Sequence, residues 1–123
     1  MNSTYKPKDY NSLSPYLVVD GAQKMVDLLK TIFEATELRR FDNENGTITH
    51  IELKLDDSII MIADSTENYP ANNTMLHFYV PDVFKTFELA VINGCEVIET
   101  PLIKKVTRIQ EAALKTLPVI TGM

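Results

Sequence analysis

The sequence predicts an α+β fold of two βαβββ modules, the second of them incomplete at its C-terminal end. Three observations predict it. Leu17-Val18-Val19-Asp20 and Phe78-Tyr79-Val80-Pro81-Asp82 each lead from a run of β-formers into a helical pattern. Each helical pattern is followed by a further β-rich run, and after the first helix there are three such runs with turn signals between them. An internal duplication accounts for the repetition.

Within the first module, Leu13 to Val19 reads as a strand ended by Asp20-Gly21. Met25, Val26, Leu28, Leu29, Ile32 and Phe33 then form a helical stripe from Ala22 to about Glu34, with Asp20 placed to cap its first turn. Glu37 to Phe41, Thr47 to Leu55 and Ser58 to Ala63 read as strands separated by Asp42-Asn43-Glu44-Asn45-Gly46 and Asp56-Asp57. Asp64 to Asn73 has no periodicity and is expected to cross between modules. The second module starts with a strand from Met75 to Val80. A helix from Val83 to Ile92 follows, stopped by Asn93-Gly94, and then a strand from Glu96 to Glu99. The whole is read as one domain: module one over about 12–64, linker 65–73, module two over about 74–105 and an atypical tail 106–123.

With 123 residues, 45% of them hydrophobic and 24% charged, the composition is that of an ordinary globular domain. The net charge of -5 argues against a nucleic-acid partner, which requires clustered Lys and Arg. The single cysteine, Cys95, cannot form an internal disulfide and reads as a small residue after a helix. The polar leader has no apolar run behind its lysines, and Ile59 to Ala63 is too short to span a bilayer. The expected location is the cytoplasm, with no membrane partner. No P-loop, dinucleotide fingerprint, zinc-ligand spacing or nucleophile elbow is present.

The segments SPYLVVDGAQKMVDLLKTIFEATELRRF, GTITHIELKLDDSIIMIADS and HFYVPDVFKTFELAVINGCEVIETP together resemble the PhnB-like branch of the vicinal oxygen chelate (glyoxalase/bleomycin resistance/dioxygenase) superfamily, over roughly Asn11 to Lys105. The resemblance implies sheets curled into a cup that holds a ligand or metal, helices outside, and a homodimer. It also implies a closing stretch like D-P-D-x-R-G-x-x-K-D-x-x-G-N-x-W, where this chain reads VTRIQEAALKTLPVITGM. Synonymous codons for Val106 to Met123 can be chosen so that, read one nucleotide earlier, they give Gly (or Ser)-Asp-Pro-Asp-Thr-Arg-Gly-Ser-Phe-Lys-Asp-Phe-Ala-Gly-Asn-Tyr-Trp-Tyr. That is the expected ending, and it points to a one-base frameshift just before Val106. As written, Thr107 and Gln110 have capping-box spacing, and Val106, Ile109, Ala113 and Leu117 fall at helical intervals. The tail then becomes a terminal helix replacing the last two strands.

Metal-dependent members of the superfamily place His, Gln or Glu at positions that fall here on Ser14, Met75 and near Met61. None suits a hard divalent cation, so no metal or other cofactor is expected. Strand alternation puts Tyr16 with Ser14 and Val18 on one face, and Met75, His77 and Tyr79 on the matching face of the second module. With Thr49, Ile51, Leu53 and Leu55 toward the helix, His50, Glu52 and Lys54 turn to the cup. Tyr16, His50, Glu52, Met61, Met75, His77 and Tyr79 are therefore the candidate cup lining. His50 with Glu52, or His77 with Tyr79, could orient a ligand or move a proton; satisfied polar residues on an inner sheet face explain them equally. Arg39 and Arg40 face opposite ways, so one of them could meet an anion or simply face solvent. Met61 and Met75 suit either core packing or the lining of an apolar ligand site. The expected function is metal-free binding of a small molecule in the cup. The alternatives are a metal-dependent lyase, isomerase or dioxygenase using a divalent metal on unusual ligands such as His50 and His77, or an inactive frameshifted product.

Overall fold

The computed structural model describes residues 5–72, 76–103, 110–115 and 119–122, from residue 96 onward as backbone only. The first module runs β1 (Tyr16–Val19), α1 (Ala22–Phe33), β2 (Thr36–Asp42), β3 (Ile48–Leu55) and β4 (Ser58–Asp64). The second repeats it as β5 (Leu76–Phe78), α2 (Val83–Ile92), β6 (Glu96–Ile103), β7 (Gln110–Lys115) and β8 (Val119–Gly122). The sheet orders β1-β4-β3-β2 and β5-β8-β7-β6 are the same arrangement twice, with the first and last strands of each module parallel. The predicted duplication is thus present in the topology.

Both predicted helices form. The stripe on α1 buries Met25, Val26, Leu28, Leu29 and Ile32. Met25, Val26 and Leu29 meet Leu17, Ile51, Leu53, Ile60 and Ile62 of the first sheet in one core. Leu28 and Ile32 join Ala90 and Cys95 in a second cluster, so α1 packs on α2 as well as on its own sheet. Phe33 and Phe78 stack with ring centroids 4.1 Å apart, placing the first strand of module two against the end of α1.

The cap of α1 is not the predicted one. Gly21 occupies the N-cap position at φ 80, a left-handed conformation that favours glycine, and makes no side-chain cap. The Asp20 carboxylate instead accepts from the Ser65 hydroxyl. Asp64, at the end of β4, takes over: one oxygen accepts from Ala22 N at 2.8 Å and the other from Ile48 N at 2.7 Å. A single carboxylate so ties the start of α1, the start of β3 and the end of β4. In α2 the predicted pattern holds locally, with Asp82 accepting from Lys85 N.

The tail also departs from expectation. Residues 110–115 and 119–122 form β7 and β8, not a terminal helix, so the second module has its full set of strands. The remainder of the expected helix lies outside the described residues. QEAALK is a helix-forming composition, yet β7 lies between β6 and β8 and pairs with both, and ladder partners on two sides override local propensity. The predicted strand from Glu96 also extends further, to Ile103. It passes through Pro101, where pairing with β7 is interrupted between Glu99 and Leu102. Proline lacks the N–H that a regular ladder needs, and β6 is an edge strand. Among the described residues, no helix is long and apolar enough to cross a membrane.

Candidate functional site

Strand register assembles the site. Tyr16 on β1 is the partner of Met61 on β4, Met61 of Glu52 on β3, and Glu52 of Arg39 on β2, giving one row across all four strands. Phe41 pairs with His50 in the adjoining row. The alternate residues Leu17, Ile51, Leu53, Ile60 and Ile62 are buried in the core with α1. The predicted division of β3 into a helix-facing and an open set is correct except at Thr49, which is exposed and hydrogen-bonds Asn43 in the β2–β3 turn at 2.7 Å. Of the two arginines, Arg39 lies on the open face, with its guanidinium 5.2 Å from the Phe41 ring centroid, while Arg40 pairs with Asp42 at 2.8 Å.

Four polar side chains on this face form a chain. Tyr16 Oη and His50 Nδ1 are 3.0 Å apart, and His50 Nε2 and Glu52 Oε2 are 2.8 Å apart. Glu52 Oε1 accepts from the Tyr10 hydroxyl. Glu52 is 6% exposed and is the one buried charged residue among those described. Burial pushes its carboxyl up, but the hydrogen bonds from Tyr10 and His50, with the charges of His50 and Arg39, outweigh that and hold it below the usual glutamate value. The same bond acts in the opposite direction on Tyr10. Donation to Glu52, then burial and the neighbouring negative charge, raise its phenol above the ordinary value. An ionised Glu52 can only accept, so hydrogen-bond chemistry assigns a proton to His50 Nε2. In the neutral imidazole, Nδ1 then accepts from Tyr16.

Tyr10 escaped the sequence reading because it sits in a polar leader without periodicity. The leader is nonetheless anchored: Asn11 Oδ1 accepts from Ile59 N at 3.0 Å, and Pro15 O accepts from Met61 N at 3.0 Å. These bonds lay the segment along β4 and deliver the Tyr10 ring to Glu52. At the other end of the chain the site is open. Tyr16 and Phe41 are 46% and 50% exposed, and their rings lie 5.5 and 6.4 Å from that of His50.

Of the seven predicted lining residues, Tyr16, His50, Glu52 and Met61 are brought together. Met75 lies outside the described residues. His77 and Tyr79 form a separate pair, with ring centroids 4.9 Å apart, on the opposite side of β5 from the buried Phe78. Tyr79 lines a different concavity, a groove of about 900 Å3 between the C-terminus of α1 and the N-terminus of α2, shared with Phe33, Leu55, Val80 and Leu89.

A divalent cation of the type the superfamily resemblance implies requires three or more converging donors. Among the described residues no group of three His, Cys, Asp or Glu side chains could hold one. The His50–Glu52 pair is already saturated by Tyr16 and Tyr10. The residues of this face do not fit the group.

No protein-family model matches the chain. It is 29% identical over 98 residues to uncharacterized proteins of Mycobacterium bovis (Mb0911c) and Mycobacterium tuberculosis (Rv0887c), a match covering 71% of this chain. The match covers 64% and 58% of those proteins, so the chain spans about three fifths of the length of these curated relatives. Among solved structures, TioX from Micromonospora sp. ML1 superposes with a TM-score of 0.74 at 18% identity, covering 91% of this chain and 96% of its own. The fosfomycin resistance protein FosX from Listeria monocytogenes gives 0.66 at 15% identity, covering 91% and 88%. A PhnB protein from Bacillus cereus gives 0.64 at 12% identity, covering 92% and 100%. These neighbours are members of the vicinal oxygen chelate superfamily, and this chain has the glyoxalase/bleomycin-resistance-like fold that they share.

Proposed function

We propose that this chain is a PhnB-like cytoplasmic protein that binds a small molecule, without a metal, on the open face of its first sheet, and that it acts as a homodimer. The observation that carries the reading is the Tyr10–Glu52–His50–Tyr16 chain, anchored at a buried carboxylate and ending at a half-exposed aromatic surface. A few convergent polar groups beside exposed rings are what orient a flat ligand. The donor chemistry supports the metal-free reading, in contrast to the Listeria FosX, which has been crystallised with Mn(II) and sulfate. Titration with Mn(II) and Zn(II), followed by elemental analysis after desalting, tests this. Less than one tenth of an equivalent should be retained; stoichiometric metal lost in His50→Ala would establish the metal-dependent alternative.

The tail supports the frameshift reading in one respect. In the shifted frame, Asp-Pro-Asp falls between β6 and β7 and Asp-Phe-Ala between β7 and β8, so turn-forming residues land between the strands. The same frame turns Thr121, the register partner of His77, into tyrosine. Resequencing the gene, with an intact mass of the native protein, decides between the two frames.

A further inference from the structure

We propose, resting on the ligand site described above, that Tyr16 is the acid–base end of a proton relay through His50 to Glu52, acting on a carbon acid whose C–H lies beside a carbonyl. The arrangement has the logic of a hydroxyl, a base and an orienting carboxylate. Glu52 is buried and doubly hydrogen-bonded, which fixes it as the acceptor for His50 Nε2–H. His50 Nδ1 is left to take a proton from Tyr16 at 3.0 Å. Tyr16 alone among the three is substantially exposed, so it is the atom of the relay that meets a ligand.

The surroundings favour a carbonyl compound with an aromatic group. Tyr16 and Phe41, on either side of His50, offer flat apolar surface. Arg39, on the same face and over Phe41, supplies the cation for a developing enolate oxygen. In the step, the C–H bond breaks and its proton passes to Tyr16 Oη while the Tyr16 proton passes to His50 Nδ1. The electron pair left on carbon moves onto the carbonyl oxygen, and the imidazolium is held by the Glu52 carboxylate. Reversal returns a proton to the same carbon, or to the former carbonyl carbon when an adjacent hydroxyl allows an isomer to form. No oxidant or reductant takes part.

The test uses phenacyl alcohol, an aryl hydroxyketone, in D2O with the full chain, following loss of its methylene proton signal by NMR. Wild type should exchange the protons at least about 100-fold faster than Tyr16→Phe, a loss typical of general acid–base groups. His50→Gln should be as slow as Tyr16→Phe. Amide shifts recorded in the same samples separate binding from chemistry. Perturbation at residues 16, 41 and 50 with equal exchange in wild type and Tyr16→Phe overturns the relay and leaves ligand binding standing. Absence of perturbation together with equal exchange overturns both.

Discussion

At the scale of single residues, Glu52 carries the most consequence. Its carboxyl titrates below the usual value when folded, so its contribution to stability is fully present above the unfolded glutamate value near 4.5 and is lost as pH falls through the folded one. Urea melts of wild type and Glu52→Gln should differ by about 1–3 kcal/mol at pH 7, the cost of disturbing a buried charged hydrogen-bond group, and the difference should shrink below pH 4.5. Tyr10 behaves in the opposite sense. Its raised phenol stabilises the fold below the unfolded value of 10.0, and this is lost as pH rises through the folded value. Tyr10→Phe should cost about 1 kcal/mol near neutrality and lose less stability than wild type above pH 10, by the same melts. Alternation along β3 made His50 and Glu52 legible in the sequence. Tyr10 was not, because its contact spans 42 positions and depends on where the leader is tied down.

At the scale of elements, periodicity described α1 well and could not reveal what holds its start. The apolar stripe is a local signal, whereas the carboxylate serving Ala22 N and Ile48 N comes from Asp64 on another strand. Asp64→Ala leaves two backbone donors without that acceptor and should lower stability by about 2 kcal/mol or more, read as a drop in Cm at unchanged m. Asp20→Ala removes only an exposed bond to Ser65 and should cost less than half as much. The tail shows the converse limitation. Gln110 to Lys115 has the composition of a helix, and its strand pairing is decided by neighbours far away in sequence, on β6 and β8.

At the scale of the whole molecule, the repeated sheet order was visible in the paired strand-to-helix phrases, although only the first module could be read to its end. The two modules meet through the Phe33–Phe78 stack and the Leu28, Ile32, Ala90 and Cys95 cluster. Phe78→Ala should destabilise by about 3–5 kcal/mol, seen as a single shifted transition if the modules unfold together. The molecule has two concave candidates: the aromatic face around His50, and the larger groove between the helices lined by Phe33, Tyr79 and Val80. The most direct measurement is amide chemical-shift mapping of the full chain with a library of small aromatic carbonyl compounds. The account predicts that perturbations cluster at Tyr16, Phe41, His50 and Glu52; clustering at Phe33, Tyr79, Val80 and Leu89 instead would contradict it.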